Sequence, residues 1–485
     1  MASPRARIFF WTLLAAVIAS GCGERRAARS SSIHLATRSE LTTAEVKYGV
    51  APTPGPSVIY QPEVIIVGGG AEIIRSQGDN GFTWTIDGNA PHAGELAAGK
   101  IMFVTGRAVG RVIEIHRDGG NLVATLGPVD ITELIHDAHL TFDQPVDFGE
   151  AIAYVTPELP GAITPVSPLM AAAWPGAGPG GVRTVALTTE STAFGQADPA
   201  SPDVTKLVNF KVVPFANSSG VGLRAKSDKG GLLLTAEASI HLATPQLHVN
   251  LQIANGKVQE ANLELTGAAG LTMRFDAGTD VGRSANVNGR FVPNTDFSIP
   301  IIGLGFPFAV TARQQFIIKT GFGVRNTTLS AVGDYTFGGS FKVGYSGKTW
   351  GLFGPTSFSA KQSLAQSMGG VSLGASGLNM DHQLKVIVGV GAAGFATGPY
   401  FAFNTGVGVS RGSDAGMLRC QGAELNVALI GGVGYFIPKA VTDAINFVLR
   451  ALNVKYRVLG EGGFSSDPLT IVHSAATDKG CGTVR

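Results

Sequence analysis

The sequence predicts a mainly β protein, with a small N-terminal β domain followed by a larger antiparallel β-sandwich or open barrel that carries one C-terminal amphipathic helix. Three observations carry this. Apolar and polar residues alternate with period two over long stretches, the pattern of strands that bury one face. Turn signals such as Asn255-Gly256 separate those stretches and suit tight hairpins. Glycine is abundant, 66 of 485 residues, and charge is sparse at 15%. With a mean hydropathy of +0.22, much apolar surface must be buried between sheets.

The chain opens with a leader. Arg5 and Arg7 give a positive start, and residues 8–18 (IFFWTLLAAVI) form an apolar run broken only by Thr12. This run is too short to cross a bilayer as a helix, which takes about 20 residues. It has the length of a signal-peptide core, and residues 1–21 read as an export signal. Ala19, Ser20 and Gly21 follow, then Cys22. This segment resembles the lipobox of bacterial lipoproteins, in which signal peptidase cuts before a cysteine that carries diacylglycerol. The family prefers Leu three positions before the cysteine; this chain has Ala19. The resemblance implies lipidation of Cys22 at the mature N-terminus. It also implies stable anchoring by two or more acyl chains, in the bacterial cell envelope at the outer membrane or cell surface. Gly23 in place of Asp implies outward sorting. Disulfides persist outside the cytoplasm. With Cys22 acylated, Cys420 and Cys481 remain as a pair, the alternative being two separate buried thiols. A bridge between them closes a loop of about 60 residues and contributes roughly 4 kcal/mol in the chain-entropy model.

Residues 22–61 are polar and then Pro-rich, and read as a lipidated tether. Residues 62–157 read as the small β domain. EVIIV at 63–67 suits a short buried strand, and Phe82, Trp84 and Ile86 alternate with Thr83, Thr85 and Asp87. The runs at 110–116 and 121–126 flank Arg117-Asp118-Gly119-Gly120, a hairpin signal. Residues 131–140 suggest one or two helical turns. The pattern as a whole resembles a small SH3-like or similar barrel. Residues 158–203, dense in Pro, Ala and Gly, read as a linker.

Residues 204–485 read as the large antiparallel domain. Leu247, Val249, Leu251 and Ile253 face one way, and His248, Asn250 and Gln252 the other. After Asn255-Gly256 the return strand alternates Ala261, Leu263 and Leu265 against Asn262 and Glu264. Leu271, Met273 and Phe275 then alternate with Thr272, Arg274 and Asp276. Such a meander buries one face and wets the other. The pattern recurs at 306–324 and 337–345. Glycine-rich strands follow at 386–394 and 400–409, where a second layer can approach closely. Pro438 suits a helix start, and Val441, Ala444, Ile445, Val448, Leu449 and Leu452 form its apolar stripe.

Chemistry is harder to find. Lys and Arg number 37 and Asp and Glu 35. Arg5 and Arg7 fall in the leader with no acid, so the remainder is electrically balanced and lacks the basic footprint of a nucleic-acid binder. Gly68-Gly69-Gly70 follows a strand, but Ile73 stands where the dinucleotide fingerprint needs glycine. Gly-x-Ser-x-Gly occurs around Ser372 and Ser410; both sit in β-like, turn-rich surroundings, whereas a nucleophile elbow needs strand, turn and helix. His136 and His139, with Glu133, offer metal-ligand atoms without a third placed ligand. Glu461 reads as a turn residue. Tyr335, Tyr345 and Trp350 offer rings to stack on sugars, with a core role as the plainer alternative. No catalytic, cofactor-binding or metal residue is assigned, and no cofactor is expected. The reading is an exported, lipid-anchored envelope protein with a structural or ligand-binding role and no catalysis. Its partners are the membrane, through the N-terminal lipid, and a lipid or glycan ligand. The alternatives are a lipid carrier or membrane-inserting β protein, and a carbohydrate-active enzyme with two carboxylates within about 10 Å.

Overall fold

The computed structural model describes residues 33–155, 163–165, 211–412, 420–436 and 461–477, apart from 80, 292, 294, 304–305 and 393–394. The expected leader with Cys22, the expected helix at 438–452 and Cys481 lie outside the described residues.

The described chain is built mainly of strands. It opens with β1 (His34–Leu35), the helix α1 (Thr43–Tyr48) and β2 (Val58–Tyr60). A small sheet follows from β3 (Val64–Ile66), β4 (Ile74–Gln77), β5 (Thr83–Asp87), β6 (Ile101–Phe103), β7 (Val109–Asp118) and β8 (Asn121–Gly127). Next come the turn of helix α2 (Ile131–Leu134), β9 (Ile135–Pro145), β10 (Ile152–Val155) and β11 (Ile163–Pro165). The large body adds β12 (Lys211–Asn217), β13 (Gly220–Lys229), β14 (Leu232–Ala254), β15 (Lys257–Thr279), β16 (Asn288–Phe291), β17 (Thr295–Ile302) and β18 (Ala309–Phe322). It continues with β19 (Thr327–Gly338), β20 (Phe341–Ser346), β21 (Thr349–Phe353), β22 (Ser357–Gln362) and the short helix α3 (Leu364–Ser367). It finishes with β23 (Ser376–Ala392), β24 (Phe395–Arg411), β25 (Gln421–Phe436), β26 (Glu461–Ser465) and β27 (Leu469–Thr477).

The expected meander is the spine of one sheet. β14 and β15 run for 23 residues each and pair antiparallel through the Asn255-Gly256 turn. A bulge between Ala243 and Gln246 bends them, with Thr244 in the left-handed region at φ 47°. Gly267 faces the bend at φ 111°, and a Cβ there would fall 2.8 Å from the Ala243 carbonyl oxygen. The bend lets one hairpin serve two half-sheets. On one side β13 and β19 flank it; on the other β9 and β20 do.

The second large sheet runs β1-β17-β18-β23-β24-β25-β26, with β27 also on β25. Alternation turns Val310, Ala312, Phe316, Leu378, Leu384, Val386, Phe401, Phe403, Val407, Leu425 and Leu429 into a core shared with Leu234, Leu247, Leu263, Met273 and Phe275 of the first sheet. The two sheets therefore stack as a sandwich. Glycine sets their spacing at one point: a Cβ on Gly431 of β25 would lie 2.0 Å from Val343 Cγ1 of β20. Among the described residues, apolar side chains from both sheets pack into this interior. A small apolar gap bounded by Val146, Ile240, Leu242, Val310, Leu384 and Phe401 has room for about one water molecule.

The small β domain is a six-stranded sheet ordered β3-β6-β7-β8-β5-β4, with β3 and β6 parallel. Its core holds Trp84, Ile86, Met102, Val104, Val112, Leu122 and Ala124. The unit ends sooner than residue 157. The helical turn expected at 131–140 stops at Leu134, and β9 then joins the large body beside β14. Alternating Ala138, Leu140 and Phe142 fit that half-buried strand better than a helical face. The expected tether is also shorter. Residues 33–61 belong to the body: β1 pairs with β17 at Ile301 and Ile302, and β2 pairs with β9. Residues 163–165, expected as linker, pair as β11 with β16.

Candidate functional site

The sequence motifs fall into structural roles. Gly69 and Gly70 turn the chain with positive φ into a 3₁₀ turn and then β4, not into a nucleotide-binding helix. Ser372 is fully buried, and its hydroxyl donates to the Gly374 carbonyl. Ser410 lies inside β24, between Gly377 and Gly422 on the neighbouring strands. His136 and His139 stand three apart on β9, which sends them to opposite faces. Asp137 between them accepts the Asn255 amide at 2.9 Å and so holds the spine's turn; that hydrogen bond, then His136, lowers its pKa. Glu461 opens β26. Tyr335 is buried, stacks on Phe358 at 5.3 Å, and its hydroxyl accepts the Leu364 amide. Cys420 directly precedes β25, whose partner β27 ends at Thr477 opposite Gly422.

Three arrangements emerge that the motifs do not announce. The first is a polar row on the second sheet, on the face turned away from the shared core. Arg313 of β18 grips Asp296 of β17 through two hydrogen bonds, one from Nε at 2.9 Å. Both side chains are nearly buried. One strand position on, Gln315 donates to Gln383, and Gln383 donates to Asn404 at 2.7 Å. Lys385 Nζ sits 4.1 Å from the Tyr400 ring centroid. Two carboxyl groups extend this face. Burial pushes Asp381 up to about 7. Burial also raises Glu424, against the pull of His473 at 3.8 Å. Among the described residues, Glu424 Oε2 and Asn379 Oδ1 have no hydrogen-bond partner. The register places Asn379, Gly408 and Glu424 in one row, and Asp381, Gly406 and Asn426 in the next. Amides and carboxyl groups in these rows set donors and acceptors side by side, and Arg313, Gln315, Gln383, Lys385, Asn404 and Glu424 are all buried there. The available sequence signal was polar residues recurring with period two in apolar strands: Arg313 and Gln315, then Asp381, Gln383 and Lys385.

The second arrangement crosses the core. His382, on the opposite face of β23 from Asp381, points between the sheets. Its Nε2 lies 2.9 Å from Gln314 Oε1, and Gln314 Nε2 donates to the Gly222 carbonyl of the facing sheet at 3.1 Å. An amide oxygen only accepts, so Nε2 carries the proton, and Nδ1 has no partner among the described residues. Burial drives the imidazole pKa down to about 3.

The third is an aromatic mouth at one end of the sandwich. Tyr345 of β20, Trp350 of β21 and Phe464 of β26 meet with ring centroids 4.7 to 5.7 Å apart. The Tyr345 hydroxyl donates to the Gly347 carbonyl, and the Gly347 amide donates to Gln259, which ties this hairpin to the spine. Two of the three aromatics singled out from sequence, Tyr345 and Trp350, thus come together; Tyr335 does not join them.

No curated protein and no solved structure matches the chain. Two family models do. One, a domain of unknown function (DUF8403), matches residues 44–137, the stretch from α1 through the small sheet into β9. The other, a domain of unknown function (DUF8402), matches residues 191–461, which takes in β12 through β25. That match covers more than half of the sequence, and the chain belongs to the DUF8402 family.

Proposed function

We propose that this is an exported protein held in the bacterial envelope by lipid on Cys22, with a sandwich body that serves as a binding or structural module and not as a catalyst. One observation carries the reading: Cys22 ends an arginine-led apolar run of signal-peptide length. The fold supports it. The described body starts at Ile33, whose carbonyl accepts from Gln144, and β1 is paired into the second sheet. The stretch from Cys22 to Ile33 reaches at most about 40 Å, so an anchored body stays beside its membrane. We further propose that Cys420 bonds Cys481. The β25–β27 pairing reaches Gly422 opposite Thr477, two residues after Cys420 and four before Cys481.

The test is Cys22→Ser in the native host. Labelled fatty acid should no longer enter the protein, and it should leave the membrane fraction. Unchanged labelling and fractionation would overturn the anchor. Intact-mass measurement of the same material without reductant should show the two hydrogens lost to the bridge.

A further inference from the structure

We propose that the aromatic mouth of Tyr345, Trp350 and Phe464 docks on the surface of the bilayer that holds the Cys22 lipid. The proposal rests on the anchored reading above. Phe464 is 42% exposed, although its ring packs against two others. Ile59, 56% exposed, lies toward the same end, because it pairs with Asp137, which holds the Asn255 turn. Lys257 and Lys348 are exposed on the two turns that the Gly347–Gln259 hydrogen bond brings together. Tyrosine and tryptophan with one polar end, beside long cationic side chains, match the chemistry of a membrane–water interface.

The reach of the chain permits this contact. Ile33 is bonded to Gln144, and Gln144, Leu247, Leu265 and Phe341 form one row across four strands. Tyr345 lies four residues along β20 from Phe341. At strand spacings of about 4.8 Å and rises of about 3.3 Å, Ile33 and Tyr345 are about 25 Å apart. The segment between Cys22 and Ile33 can span about 40 Å. Acyl chain and rings can therefore meet one bilayer. Ring geometry separates this partner from a sugar. The rings are tilted 49° to 57° to one another, so they present edges and an uneven apolar contour instead of one open flat platform.

The experiment uses residues 23–485, the mature polypeptide lacking its lipid-bearing cysteine, and co-sedimentation with phosphatidylcholine–phosphatidylglycerol vesicles. The protein should bind. Trp350→Ala with Phe464→Ala should weaken binding about tenfold, the change that about 1.4 kcal/mol produces. Lys257→Glu with Lys348→Glu, which alters only exposed turn positions, should weaken binding to anionic vesicles. Absence of vesicle binding by the parent, or unchanged binding by both variants, would overturn the proposal. Displacement of the rings' role to a soluble oligosaccharide, with no lipid binding, would overturn it too. Fatty-acid labelling of the full chain reads the anchor separately: labelling without vesicle binding sinks the mouth and spares the anchor, and the converse sinks the anchor alone.

Discussion

Asp381 and His382 are neighbours in sequence and opposites in their acid–base behaviour. Asp381 has its pKa raised to about 7 by burial. Its protonated form favours the fold, so its contribution is complete below the unfolded value near 4 and is lost as pH rises through 7. His382 has its pKa lowered to about 3. The unfolded imidazole takes up a proton near 6.5 and the folded one does not, so stability is lost as pH falls from about 6.5 toward 3. Between about pH 4 and 6.5 the two slopes oppose, each at most about 1.4 kcal/mol per pH unit. Urea denaturation across that range should show a flatter profile for the parent than for either variant. Asp381→Asn should lose stability on acidification, and His382→Gln should gain it. Two variants with the parent's slope would show that neither group titrates as its burial demands.

At the scale of elements, the long hairpin of β14 and β15 decides the first sheet, and its contact with the second is a matter of missing atoms. Gly431 is empty where Val343 enters. Gly431→Ala should overpack the sandwich and cost about 1 to 3 kcal/mol. Adding Val343→Ala should recover part of that loss, because the same space is then vacated. Thermal denaturation of the two single variants and the double one measures the coupling, and strictly additive losses would mean that the two side chains do not share that space.

Across the whole molecule, an aromatic contact joins the small sheet to the body. Phe103 of β6 meets Phe306 at 5.3 Å, and Tyr60 stacks on Phe306 at 5.7 Å. Phe306 also touches Phe308 at the start of β18. Phe306→Ala should cost about 3 to 5 kcal/mol locally and loosen the small sheet. Limited proteolysis should then cut within residues 128–134 sooner than in the parent, while the sandwich persists. Equal cutting rates would place the joint elsewhere.

Period-two alternation was enough to read the mainly β class, the 247–275 meander and its Asn255-Gly256 turn, because each depends on neighbours within a few residues. The boundaries were less legible. Residues 33–61 look like a polar tether, yet their strand partners, Ile301 and Asp137 among them, lie far along the chain. The candidate sites were the least legible. Asp296 and Arg313 are 17 residues apart, and Gln315 and Gln383 are 68 apart; only sheet register aligns them. The sequence by itself determined the strands and the turns, since local sterics and short-range polarity are written residue by residue. Only the tertiary structure decided which strands neighbour one another, which polar side chains lose their water, and where three distant rings meet, because pairing over hundreds of residues is fixed by the packing of the whole core.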